Sequence, residues 1–201
     1  MAVTEQTAVS PEDVLAQTLR KADAFVTVPG TLEDLYRFGE VKADFIEGLI
    51  YLYMAASTPH ERIFMRTANK LYNFAEVQSL GTVLGSRTPV DFGPGYHPMP
   101  DILFLAKDNP AKVEPDRIVG VPDLVIEILS PSTRRIDLVD KRQLYRQYGV
   151  PELYFIDMVN GQVVIDCLKV GEYETFTLQT GSFESRVLPG LVWDAAQLLN
   201  A

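Results

Sequence analysis

Glu127 stands inside the run Leu124, Val125, Ile126, Ile128 and Leu129, where every neighbour is apolar. A carboxylate that leaves water for such surroundings needs compensation, either from a lysine or arginine in the core or from a metal ion. Asp101 opens a second apolar run, DILFLA, directly after Pro100. Alone it reads as an ordinary strand-opening residue. Two carboxylates at the ends of neighbouring strands, however, can hold one Mg²⁺, whose octahedral shell takes one or two carboxylates and fills the rest with water and phosphate oxygens. In outline that is a site for metal-assisted phosphodiester hydrolysis.

Lys141 is the third member of this expected site. Ser130 back to Glu127 is about 10 Å along a strand, and Thr133 forward to Lys141 is about 12 Å along a helix. A helix that folds back over the strand it leaves brings the two level. Asp137, Lys141 and Tyr145 are four residues apart and share a helix face. The bland alternative is an exposed Asp137–Lys141 ion pair. In the functional reading Lys141 positions or deprotonates the attacking water, or neutralises charge growing on the phosphate.

Other candidates are Glu47, beside Gly48 and three residues after Asp44, and His60, at the start of a helix where free backbone N–H groups can face an anion. A turn glutamate and a capping-turn histidine are the structural alternatives. Ser130-Pro131-Ser132-Thr133 has no nucleophile elbow around it and reads as a strand-to-helix turn. Gly93-Pro94-Gly95-Tyr96 lacks a phosphate-loop lysine and reads as a loop between strands.

The elements that position these residues follow from period and punctuation. Ser10-Pro11-Glu12-Asp13 predicts a helix over Pro11 to Ala24, and Thr31 starts a short one ending near Gly39. Asp44 to Ala55 predicts a hairpin, with Glu47-Gly48 as its tight turn, or two successive short strands. Thr58-Pro59-His60-Glu61 starts the longest amphipathic helix, to about Gln78. Strands TVLGSRTPVDF, DILFLA and DLVIEILS precede a helix from Thr133 to Tyr148, with Gly149 as its left-handed end. LYFIDM then follows, completing a parallel crossover unit. QVVIDCLKV, Tyr173 to Leu178 and Ser182 to Leu188 predict an antiparallel C-terminal meander, with a short helix from Asp194. The expected class is α/β (mixed α+β), a mixed sheet flanked by helices.

Bulk properties narrow the function. The 201 residues, 47% of them hydrophobic, suit one domain over 11–201 behind frayed residues 1–10. No apolar run reaches the roughly 18 residues of a membrane span, and MAVTEQTAVSPEDV lacks the features of an export signal, so a cytoplasmic protein is expected. Cys167 is the only cysteine and His60 and His97 the only histidines, so a Cys/His zinc site is out of reach and carboxylates must hold any metal. The net charge of −9 argues against a protein that coats nucleic acid without specificity. Arg62, Arg66, Lys70 and Arg87 are the cations expected to gather near the cleft.

PDILFL, then PDLVIEILSPST, then the Asp137 and Lys141 pair ahead of QYGVPELYFID, together resemble the bacterial Uma-type family described as putative restriction endonucleases, within the PD-(D/E)XK nuclease-like superfamily. The similarity runs from about Thr31 through DFIEG and Pro59-His60 to LPGLVWD. The resemblance implies a restriction-endonuclease-like core with helices on both faces of the sheet. It further implies Asp101 and Glu127 as acids holding Mg²⁺ or Mn²⁺, and Lys141 as a displaced form of the superfamily lysine. Asp44 and Glu47 match acidic positions of the family's hairpin motif, with the acids exchanged in kind. The superfamily triplet would place its lysine at position 129, where this chain has Leu129.

The leading expectation is therefore a Mg²⁺-dependent endonuclease acting on DNA, working as a homodimer. A nuclease-fold binding or assembly protein without turnover is the second reading. The third makes Glu127 and Asp101 an acid/base pair acting on a sugar.

Overall fold

The computed structural model describes residues 25–39, 41–53 and 55–200. The helix expected over 11–24 and the fraying expected before it fall outside the described residues.

The chain begins with β1 (Phe25–Pro29), α1 (Leu32–Arg37), β2 (Ala43–Ile46), β3 (Leu49–Tyr53) and α2 (Thr58–Ala75). Next come β4 (Gly81–Gly85), β5 (Val90–Asp91), β6 (Tyr96–His97), β7 (Ile102–Ala106), β8 (Lys112–Val113), β9 (Ile118–Val119) and β10 (Leu124–Leu129). Helix α3 has a π-helical segment, Ile136–Lys141, and an α-helical one, Arg142–Gln147. β11 (Glu152–Asp157), β12 (Gln162–Lys169), β13 (Glu172–Leu178), β14 (Ser182–Glu184), β15 (Val192–Asp194) and α4 (Ala195–Leu199) follow.

Six strands form the central sheet in the order β13-β12-β11-β10-β7-β4. β10 and β11 run parallel, from Leu124↔Glu152 to Leu129↔Asp157, and the other neighbours are antiparallel. The sheet is mixed, as expected. Parallel neighbours cannot be joined by a tight turn, which is why α3 lies between β10 and β11. Leu124, Ile126 and Ile128 pack with Ile63 and Leu71 of α2 and with Trp193, while Val125 and Leu129 pack with Tyr145 of α3, Leu153 and Phe155. Side chains alternate along a strand, so Glu127 belongs to the face that α3 covers.

A second sheet has the order β1-β3-β2-β6. Its β2–β3 hairpin turns at Glu47 and Gly48, both with positive φ (51 and 79), as a two-residue turn matching strand twist requires. Thr31 caps α1 with a complete capping box. Ser57, not Thr58, caps α2, its hydroxyl accepting the His60 N–H at 3.5 Å, and the helix ends at Ala75. The expected meander is corrected at its third strand. β12 and β13 pair, but β14 leaves the central sheet and pairs with β15. The buried Glu152 carboxylate of β11 accepts the Ser185 hydroxyl at 2.6 Å and the N–H groups of Arg186 and Val187, which anchors that segment across the sheet rather than beside it. Asp194 caps α4, as its position predicts.

Candidate functional site

β7 and β10 pair as far as Ile102↔Ile126. Beyond that pair, acidic side chains replace the ladder. The Asp101 N–H donates to Glu127 Oε2 at 3.3 Å, and the Ile128 N–H donates to Asp101 Oδ2 at 2.8 Å. Pro100, with no N–H of its own, cannot extend the ladder. Where the β7–β10 pairing stops, two carboxylates thus lie side by side, 3% and 1% exposed.

Helix α3 closes over them. Lys141 Nζ lies 2.9 Å from Glu127 Oε1, 3.2 Å from Asp44 Oδ2 and 3.3 Å from Asp137 Oδ1. The Tyr145 hydroxyl donates to Glu127 Oε1 at 2.6 Å. Asp137 and Lys141 are both buried, which overturns the reading of that pair as a surface ion pair. Both sit on the π-helical turn, a rare feature that concentrates at functional sites and that no proline or glycine in the segment announces.

The hairpin and α2 supply the remaining groups. Asp44 accepts from the Tyr53 hydroxyl and from the Met99 N–H, each at 2.5 Å. Lys42, two residues before Asp44, places Nζ 2.5 Å from Asp101 Oδ1. His60, in the first turn of α2, has Nε2 3.3 Å from Asp101 Oδ2. Lys42 and Tyr53 escape a reading that looks for carboxylates. The available signal was the two-residue alternation that aligns Lys42 with Asp44.

Lys42, Tyr53, His60, Asp101, Glu127, Asp137 and Lys141 line one cavity of about 60 Å³. The structure does not bring Glu47 there. It occupies the hairpin turn, accepts from the Tyr96 hydroxyl at 2.8 Å, and lines a separate groove with Arg135 and Gln143. The Ser130 hydroxyl bonds to those of Ser132 and Thr133 at 3.0 Å, as a strand-to-helix turn should. Arg66 donates to the Gln197 and Asn200 carbonyls, and the Lys70 ammonium lies 5.0 Å from the Trp193 ring centroid, so both serve the C-terminal packing instead of the cleft. The geometry favours a metal site over an acid/base pair acting on a sugar: these two carboxyls are tied to each other's strand amides around a cavity far smaller than the roughly 300 Å³ or more of a pocket for a small organic ligand.

Charge in this enclosure is unevenly matched. Asp44, Asp101, Glu127 and Asp137 are four carboxyls facing two ammonium groups, Lys42 and Lys141, a formal shortfall of two positive charges before His60 is counted. Burial pushes Glu127 up to about 7; Lys141 opposes this, and the neighbouring Asp137 and Asp101 reinforce it. Burial likewise raises Asp137 against the pull of Lys141. Burial also works against ionisation of Asp101, yet the Lys42 ammonium and the His60 hydrogen bond outweigh it and hold this carboxyl well below the usual range. Lys141 loses solvation too, but Asp44 and Glu127 keep it charged far above its ordinary value. Burial lowers His60, and its bond to Asp101 more than reverses that.

These shifts set a pH dependence. Glu127 and His60 both bind protons more tightly in the folded chain, so their stabilisation is complete below their unfolded values and is lost as pH rises through the folded ones. For Glu127 that window runs from 4.5 to about 7. Thermal unfolding in chelator should therefore give a midpoint that falls from about pH 5 to about pH 8, with a smaller fall for Glu127→Gln. A midpoint that rises across this range would contradict the charge shortfall.

Donor type and charge make the residues suitable for a divalent cation. Among the described residues no three His, Cys, Asp or Glu side chains form a ready-made metal cage. Mg²⁺ does not require one, since one or two carboxylates suffice when water and phosphate oxygens complete the shell. Asp101 and Glu127 are such a pair of hard oxygen donors, in a cluster where carboxyls outnumber ammonium groups.

The sequence model of the Uma2 family, described as "Putative restriction endonuclease", matches residues 30–197. No curated protein matches the sequence. Among solved structures, a protein described as a putative nuclease belonging to DUF820, from Anabaena variabilis, superposes with a TM-score of 0.70 at 20% identity. The match covers 85% of this chain and 98% of that one. At this identity the likeness establishes the fold, a nuclease fold of mixed α and β structure.

Proposed function

The chain belongs to the Uma2 family, and from that premise we propose that it is a divalent-metal-dependent endonuclease that hydrolyses DNA phosphodiester bonds. The observation that carries this reading is the pair of buried carboxylates, Asp101 and Glu127, bonded to each other's strand amides against one small cavity.

Asp101 and Glu127 would hold Mg²⁺ or Mn²⁺, which when bound supplies Lewis acidity toward the phosphate and a more acidic water. Lys141, 2.9 Å away, favours the ionised form of Glu127 against the burial that raises it. The Tyr145 hydroxyl, itself kept protonated by burial and by the adjacent Glu127, fixes the same carboxylate at the same oxygen, Oε1. His60 and Lys42 keep Asp101 ionised. The enclosure limits competing water, which strengthens every charge interaction inside it. Two copies in a dimer would suit cleavage of both strands, and the exposed Met65 and Tyr72 on α2, beside edge strand β4, supply apolar surface that supports such pairing.

Incubation of purified protein with plasmid and with linear duplexes of varied sequence, in Mg²⁺ or Mn²⁺, tests the reading. Cleavage that chelator stops and that Asp101→Asn lacks is expected. Intact DNA in all conditions, with wild type indistinguishable from the variant, would leave the chain a binding or assembly protein on a nuclease fold.

A further inference from the structure

The two ammonium groups of the cavity are not equivalent. An ammonium has three N–H donors. Lys141, 2% exposed at its side chain, lies within 3.3 Å of three carboxylates: Glu127, Asp44 and Asp137. Lys42 has the same three donors, and among the described residues its one hydrogen-bond partner is Asp101. Its side chain keeps 23% of its surface exposed. Both ammonium groups lie 5.7 Å from the Tyr53 ring centroid, so one aromatic wall carries a committed lysine and an uncommitted one.

We propose that Lys42 is the catalytic lysine that meets the substrate, donating to a non-bridging oxygen of the scissile DNA phosphodiester, while Lys141 is a positioning residue that holds Glu127 from behind. This rests on the nuclease reading above. It reassigns the substrate contact from the helix to the hairpin. Burial and the number of carboxylate neighbours decide it, because Lys141 is enclosed among three carboxylates, whereas Lys42 faces one and keeps part of its side chain exposed. Lys42 also immediately precedes the strand that carries Asp44, so the hairpin would both balance the buried acids and present a cation at the mouth.

The test is DNA binding without turnover, together with cleavage. Anisotropy titrations of a labelled duplex in chelator, at several salt concentrations, give the slope of log K against log[salt]. Each phosphate neutralised by the protein contributes about 0.9 to that slope. Lys42→Met should lower it by about that amount, weaken binding on every sequence alike, and cut kcat in Mn²⁺. Lys42→Arg, which keeps the charge and the donors, should restore the slope. Wild-type slope and wild-type kcat in Lys42→Met would overturn the proposal while leaving the nuclease reading intact. A wild-type protein that neither binds nor cuts DNA would overturn both.

Discussion

Replacing Lys141 by methionine should destabilise the chain by about 3–5 kcal/mol, the cost of removing one partner from a buried ion pair. The residue is 1% exposed and sits amid Asp44, Glu127 and Asp137. Methionine fills much of the same volume and supplies no charge, so three buried carboxyls are left to repel one another or to take up protons. The loss should be largest above about pH 7, where Glu127 would otherwise ionise, and should shrink in acid as the carboxyls protonate. Denaturant unfolding in chelator, with a full titration at each pH, measures it. A loss below about 1 kcal/mol, typical of an exposed pair, would mean that Lys141 does not lie where the buried network puts it.

Asp101→Asn should carry the largest loss of activity. The change keeps an oxygen to accept the Ile128 N–H and keeps the shape of the strand end. What it removes is the negative charge that faces Lys42 and His60, and with it half of the proposed cation site. Loss of one preorganised electrostatic contact at a transition state costs about 10²–10³ in rate, and a cation donor should cost no less. Cleavage initial rates at saturating Mn²⁺, on protein whose unfolding midpoint is checked first, give the number. A variant that cuts within a few-fold of wild type would remove Asp101 from the chemistry.

Much of this arrangement was legible in the residues because each part violates a local rule. Glu127 in an apolar strand demands a partner, and strand and helix rises are constant enough to show that Lys141 can reach it. The hairpin turn was legible for the same reason, since Glu47-Gly48 is the kind of pair a two-residue turn selects. The acid beside that glycine was less easily judged. Glu47 and Asp44 look equivalent in sequence, but one sits in the turn, exposed, and the other on the strand, buried between Tyr53 and Lys141. Lys42 and Tyr53 obey every local rule, and only tertiary pairing between the hairpin and the β7–β10 strand ends gives them a role. The π-helical turn has no residue signature of its own. The departure of β14 from the meander depends on Glu152, which looks like another strand carboxylate until Ser185 and Arg186 come to it from 33 residues or more away.

The most direct measurement is an Mn²⁺ soak of crystals of the wild-type protein at neutral to mildly alkaline pH, followed by anomalous difference maps. A metal centre on this fold gives a single strong peak within coordination distance of both Asp101 and Glu127, absent from crystals of Asp101→Asn. No peak at these carboxylates, or one that persists unchanged in the variant, contradicts a metal-dependent site here.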